Sequence, residues 1–427
     1  MLNNFNVEEM LSEQTVISAS DIDFYKKPMG QFILKNFPQV WVRFSFILRT
    51  KNVRLAEVIP EKVLREELDR LMALTFARSQ IYYLRGADVY GERMFGEDYL
   101  KHLENLHLPP YHLEIVDGNY KIYVEGLWSI VTYWETMILS AINELYYREL
   151  LKRMSRSERD EVIAHGVLNL REKVRFFKDH PEIPFSDFGT RRRLARLWHE
   201  YCVVTVMVEL PRSQFVGTSN THLAHKYDLP PTGTNAHEQP MGIAALADSD
   251  EELARTYDKF LDLWWSMYGE GLSIVLPDTF GSASVLRGMT REQAQTWKGF
   301  RHDSGDPIAF GEAVIKFYQQ HEVDPRGKLI IFSDGLDIHE MLRLYNHFFG
   351  RIKVTFGWGT NLTNDLGLKP LSMVVKASAV RWEWETNWRP TVKLSDNPAK
   401  AMGPAAEIER YKHVFKYQGG LYVPCTY

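Results

Sequence analysis

The apolar run Ile352 to Phe356 ends in Gly357-Trp358-Gly359-Thr360-Asn361, two glycines and a hydroxyl at a strand-to-helix turn. Glycine lets backbone N–H groups approach an anion, and the start of a helix adds a favourable dipole, so the turn suits a phosphate group. An ordinary tight turn would have the same composition. Two further turns, Asp303-Ser304-Gly305-Asp306 and Ser333-Asp334-Gly335-Leu336-Asp337, carry aspartates. Such carboxylates accept hydrogen bonds from a ribose diol or hold Mg²⁺ through water, although each taken singly fits a helix cap better. With a phosphate turn on the same face they point to a sugar phosphate. Asp187-Phe188-Gly189-Thr190-Arg191-Arg192-Arg193 sets an aromatic ring and three cations at another turn. Three arginines are usually a solvated helix face, but beside a phosphate site they could neutralise a polyanion. His237, in Gly233-Thr234-Asn235-Ala236-His237-Glu238, stands at a turn and has a neighbouring carboxylate able to orient an imidazole, whereas His222 and His225 lie on a helical stretch. No resident metal-ligand set is expected.

Turns of this kind need a scaffold that brings them to one face. Seven polar clusters, these five with Gly217-Thr218-Ser219-Asn220 and Asp278-Thr279-Phe280-Gly281, each come after a short apolar run and precede a helix-like segment. The clearest unit is Lys328 to Phe332, a β-branched run, followed after its turn by His339 to Phe349 with apolar residues at helical spacing. Strand, polar turn and helix, repeated, predict an α/β fold: an irregular β/α barrel over residues 156–380, with the turns converging at one end. An open doubly wound sheet would concentrate its ligand groups at one switch point instead. Residues 1–155 read as an α+β domain, with a helix at Leu64, Leu68, Leu71 and Leu74 and a hairpin from Tyr111 to Val124 turning at Asp117-Gly118-Asn119. The charged stretch Arg153 to Asp160 marks the boundary, and the Trp-rich residues 381–427 are expected to pack back on the first domain.

Composition narrows the partners. A chain of 427 residues, 45% hydrophobic, can bury a large core, and its formal charge of -4 offers no basic face to nucleic acid. Any anion must be held locally. Cys202 and Cys425 are too few for a disulfide framework or a thiolate metal site. Met1 to Gln14, with Glu8, Glu9 and Glu13, does not resemble a signal peptide. The most apolar window, Leu127 to Tyr147, is interrupted by Glu135, Asn143 and Glu144 and falls short of a membrane span. A cytoplasmic protein is expected, without membrane or nucleic-acid partners.

Eight motifs occur in the order found in bacterial nicotinate phosphoribosyltransferases: Asp21-Ile22-Asp23-Phe24-Tyr25-Lys26, the turns at Asp187, Gly217, His237, Asp303 (as Arg301-His302-Asp303-Ser304-Gly305-Asp306), Ser333 and Gly357, and Lys393-Leu394-Ser395-Asp396-Asn397-Pro398. The sequence resembles that family over essentially its whole length. The resemblance implies transfer of phosphoribosyl from phosphoribosyl pyrophosphate to nicotinate, coupled to ATP as in a ligase, with Mg²⁺ on the pyrophosphate, in NAD salvage. It implies that Phe188 and Tyr25 stack on the pyridine ring, Tyr25 from its own or a neighbouring subunit of a homodimer. By the same resemblance Arg301 meets nicotinate and Arg191 the phosphates. Asp303 and Asp334 take the ribose hydroxyls, Gly357, Gly359 and Thr360 the 5′-phosphate, and His237 is phosphorylated by ATP. Ser219 stands where related nicotinamide-using enzymes have an aspartate, which would repel a carboxylate, so the serine favours the acid. Two competing readings are a nicotinamide phosphoribosyltransferase and a sugar-phosphate-binding barrel without activity. The second leaves Phe188, Arg301 and His237 without a joint purpose.

Overall fold

The computed structural model describes residues 7–89 and 91–419, so Cys425 lies outside the described residues. Two large sheets organise it. In the strand Val40–Leu48, Val40, Val42, Phe44 and Phe46 point inward and alternate with Trp41, Arg43 and Ser45, the period of a sheet with one buried face. It pairs antiparallel with Asn119–Leu127 on one side and Met373–Trp382 on the other. The expected hairpin is present, Tyr111 facing Val124 and Val116 facing Asn119. Its reversal puts Asp117 at φ 50° and Gly118 at φ 75°, the left-handed pair that an Asp-Gly turn supplies. The helix Glu61–Met72 buries Leu64, Leu68 and Leu71, while Leu74 falls beyond its end.

The window Leu127 to Tyr147 forms Trp128–Val131 and most of Trp134–Lys152. Its Glu135, Asn143 and Glu144 are buried in polar contacts, and among the described residues no helix is long and apolar enough to cross a membrane. The charged stretch after it is a break between helices. Ser155 Oγ accepts from the Glu158 N–H, and the Glu158 carboxylate accepts from the Ser155 N–H, a reciprocal cap that starts Arg156–Asp179.

The second sheet is wholly parallel, in the spatial order Phe215–Thr218, Phe185–Asp187, Lys353–Trp358, Leu329–Phe332, Gly299–His302, Ile274–Val275. Its two edges are joined by an irregular segment, residues 230–235. The Thr218 N–H donates to the Pro230 carbonyl, the Thr232 N–H to that of Thr218, and Asn235 Nδ2 to that of Ile274. The ring is thus an irregular barrel, as expected, with the Gly233 cluster on its one non-strand stave. A side chain at Gly217 would place Cβ 2.1 Å from the Pro230 oxygen, so this closure requires glycine. Because the strands are parallel, all their C-terminal turns emerge at one end.

The chain crosses back to the first sheet earlier than residue 381: Met373–Trp382, expected within the barrel segment, is a strand of the antiparallel sheet, extended by Arg389–Pro390. The residues after 390 do not stay with the first domain. The Leu394 N–H donates to the Thr279 carbonyl at a barrel turn, and Phe280 stacks on Phe415 with ring centroids 4.3 Å apart. The tail therefore serves both parts, because its apolar residues find their partners at the barrel mouth.

Candidate active site

The turns open on a cavity of about 380 Å³, within the usual range for a small-molecule site, walled on its other side by the ends of Val40–Leu48 and Met373–Trp382. Its wall holds Arg49, Arg191, Arg192, Arg301, Lys376, Lys393 and Lys400 against the carboxylates of Glu135, Asp303 and Asp334. A net acidic chain thus has a locally cationic cavity, the environment a polyanionic ligand needs.

Phe188 is fixed by its N–H, which donates to the Trp358 carbonyl at 2.8 Å. Its ring lies against Gly357, where a Cβ would come 3.2 Å from the ring edge. Tyr25 is 4% exposed, accepts a hydrogen bond from Arg191 at its hydroxyl, and has that guanidinium 5.5 Å from its ring centroid. Both rings line the cavity of a single chain, so Tyr25 reaches the site of its own chain. The three consecutive arginines divide. Arg191 and Arg192 line the cavity, while Arg193 is fully buried and bidentate on Asp21, at 2.9 and 3.0 Å.

The aspartate turns divide as well. Asp306 and Asp337 cap helices, accepting from the N–H groups of Ala309 and Glu340, whereas Asp303 and Asp334 face the cavity. Lys400 donates to Asp334 Oδ2 at 2.6 Å and to the Asp303 carbonyl at 3.3 Å. Gly357, Gly359 and Thr360 are on the same wall, and Asn361 Nδ2 donates to the Leu336 carbonyl at 2.7 Å, tying the two turns together.

His237 lies among Thr279 (Oγ1 2.9 Å from Nδ1), Asp303 (Oδ2 3.0 Å from Nε2) and Lys393 (Nζ 2.9 Å from Nε2). Glu238 does not orient it. Successive residues at a helix start point about 100° apart, and Glu238 turns away to accept from Lys26, Trp128 and Thr132. Burial, reinforced by the Lys393 ammonium, outweighs the two neighbouring aspartates and lowers the imidazole to about 4, so it is neutral near pH 7. Asp278 is held at about 2 because His237 and Lys393 overcome the opposing effect of burial. Donor atoms of His237, Asp278 and Asp303 lie within 4.8 Å of one another, the spacing of a metal site, but Lys393 already stands there, 3.2 Å from Asp278. The built-in cation of the cluster is an ammonium.

Ser219 is not on the cavity wall. Its hydroxyl donates to buried Asp23 at 2.6 Å, so contact with a ligand carboxylate is not its role here. The other Asp23 oxygen is buried without a partner, and Ser219→Ala should cost about 1–3 kcal/mol by stranding the first as well; urea unfolding checks this. Arg301, by contrast, is on the wall, Nη1 donating to the Asn235 carbonyl at 3.0 Å and Nε buried with no partner. The cations at positions 49, 376, 393 and 400 carry no local signal, because each is a single residue outside the polar clusters that close the barrel strands; Lys393 enters only through the motif of the resemblance.

Residues 183–419 match the model of the nicotinate phosphoribosyltransferase (NAPRTase) family, and residues 21–143 that of its N-terminal domain. Among solved structures, the chain is similar to a nicotinate phosphoribosyltransferase from Porphyromonas gingivalis, 30% identical over 94% of this chain and 100% of that one, with a TM-score of 0.83. A nicotinate phosphoribosyltransferase from Vibrio cholerae is also 30% identical, over 97% of this chain and 96% of that one, with the same TM-score of 0.83.

Proposed function

We propose that this chain, which belongs to the nicotinate phosphoribosyltransferase family, joins nicotinate to the ribose of phosphoribosyl pyrophosphate in the cytoplasm, coupling that step to ATP. The observation that carries this reading is one cavity that combines two aromatic rings, an arginine with an unanswered N–H, and glycine turns facing a group of cations. The pyridine nitrogen uses its own lone pair to bond C1 of the ribose while the C1–O bond breaks and its electrons leave on pyrophosphate. No proton moves, so the protein's work is positioning and charge stabilisation. Phe188 and Tyr25 hold the ring and Arg301 its carboxylate. Asp303 and Asp334 accept from the ribose hydroxyls, with Lys400 released toward the leaving group, and Gly357, Gly359 and Thr360 receive the 5′-phosphate. Arg191 attends the pyrophosphate. Mg²⁺ arriving on that group would find oxygen donors in Asp303 and Asp334 and would supply further neutralisation of its charge. Formation of nicotinate mononucleotide, measured with and without ATP and against nicotinamide, tests the reading; equal use of the amide would sink it. Light scattering would test assembly as a homodimer.

For the coupling, His237 Nε2 attacks the γ-phosphorus of ATP, the bond to the bridging oxygen breaks, and ADP leaves. Neutrality of the imidazole and the adjacent Lys393 support this role. The transfer step itself needs no base, so His237→Ala should keep transfer and lose ATP hydrolysis together with the gain in yield that ATP brings. Labelled ATP should leave an acid-labile phosphoryl group on the parent protein and on His222→Ala, but none on His237→Ala. Labelling should also stay level from about pH 8 to about pH 6, where a histidine of ordinary pKa near 6.5 would be mostly protonated and His237, held at about 4, is not.

A further inference from the structure

At the base of the cavity wall lies a charge cluster centred on Glu135, a carboxylate that the proposed reaction leaves without a task. Glu135 opens the helix Trp134–Lys152 with a side chain only 5% exposed. Its Oε2 meets Lys26 Nζ at 2.5 Å, and its Oε1 lies 3.7 Å from Arg191 Nη1 and 4.0 Å from Lys376 Nζ. Lys26 has a second carboxylate partner, Glu238, also at 2.5 Å. Lys26 is thus shared between two carboxylates, so Glu135 also serves the two cavity cations.

We propose that Glu135 is a positioning residue for phosphoribosyl transfer, fixing Arg191 and Lys376 as one anion-binding pair in the wall. This rests on the reading that the cavity takes phosphoribosyl pyrophosphate. Three cations, Lys26, Arg191 and Lys376, converge on this carboxylate, two of them from elements far apart in sequence. Without it Arg191 and Lys376, each only partly exposed in the cavity wall, repel one another with no carboxylate between them. Arg191 must stay charged, so Lys376 gives way, by losing its proton or turning aside. Lys376 is already poised to do so: burial lowers it to about 8, with Glu135 and Asp303 opposing and Lys393 and Arg191 adding to the fall. Its strand partner Ser45 brings no charge.

The test is Glu135→Gln, read by calorimetric binding of inorganic pyrophosphate and by kinetics, each from pH 6.5 to 9.5. The titration of pyrophosphate itself cancels between parent and variant. In the parent, affinity should fall as Lys376 loses its proton. In the variant, that limb should move to lower pH by about one unit, giving roughly fivefold weaker binding at pH 8 and approaching tenfold above about pH 9, with KM for phosphoribosyl pyrophosphate rising by a similar factor and kcat changing less. An unmoved limb with unchanged KM, even alongside lower stability, would overturn the proposal by reducing Glu135 to a structural role. Should the variant fail to fold, Lys376→Arg decides: a side chain that keeps its charge should abolish the alkaline limb, and its persistence overturns the assignment. Pyrophosphate binding needs no turnover, so a parent that binds pyrophosphate in this way but makes no nicotinate mononucleotide would refute the proposed reaction and leave the role of Glu135 in anion binding standing.

Discussion

Replacing Arg193 by methionine is expected to lower the free energy of unfolding by about 3–5 kcal/mol, the cost of removing one member of a buried ion pair. Arg193 is fully buried, makes two bonds to Asp21 and a third to the Thr15 carbonyl, and has Glu144 3.8 Å from Nε. Methionine keeps the stem and leaves Asp21 with the Asn220 amide as its other side-chain donor. The pH dependence identifies the cause. Burial would raise Asp21, but Arg193 outweighs it and the carboxyl titrates at about 2. A depressed carboxyl contributes stability above its unfolded value, near 3.9, and that stability is lost as pH falls toward 2. The gap between parent and variant should therefore narrow as pH falls over that window, as urea midpoints will show. A constant gap would assign the loss to packing alone. Asp21 begins the segment that carries Tyr25, so the variant should also bind nicotinate less well.

Arg301→Met should lower kcat/KM for nicotinate roughly 10- to 150-fold, the value of a hydrogen bond to a charged group, about 1.5–3 kcal/mol. The stem remains, and the Asn235 carbonyl loses one donor. What disappears is the pair of N–H groups, one of them unpartnered in the wall, that would meet the substrate carboxylate. Use of nicotinamide should change much less, so the preference for the acid should shrink. Preference kept at the parental ratio would move carboxylate recognition to another cation in the cavity.

The barrel was readable because each short apolar run was closed by a polar cluster, and every one of those clusters lies at the same end of the ring. The hairpin was readable because Asp117-Gly118 has one favourable geometry. Glu238 misled because adjacency in sequence is not adjacency at the start of a helix, and Ser219 because Asp23, 196 residues away, claims its hydroxyl. Lys376 carried no local signal at all. It sits in an alternating strand like any outward-facing residue, and its place in the cavity is set by a pairing with Val40–Leu48 over more than three hundred residues. Contacts of that range are set by the whole fold, which periodicity and turn chemistry do not encode.

The same pairing governs the order in which the molecule can come into being. Met373–Trp382 lies in the interior of a sheet whose other long strands are all made before residue 128, and residues 393 and 400 bring the last two ammonium groups to a cavity built from residue 25 onward. On the ribosome, where synthesis runs from the N-terminus at about 5–20 residues each second, the early strands must wait tens of seconds with Val40–Leu48 as an open edge. An open edge is a template for pairing with other chains. The nascent protein is thus exposed for most of its synthesis and closes its sheet, its barrel mouth and its anion site almost together, so a chain stopped short of residue 373 would be an aggregation hazard and never a partly active enzyme.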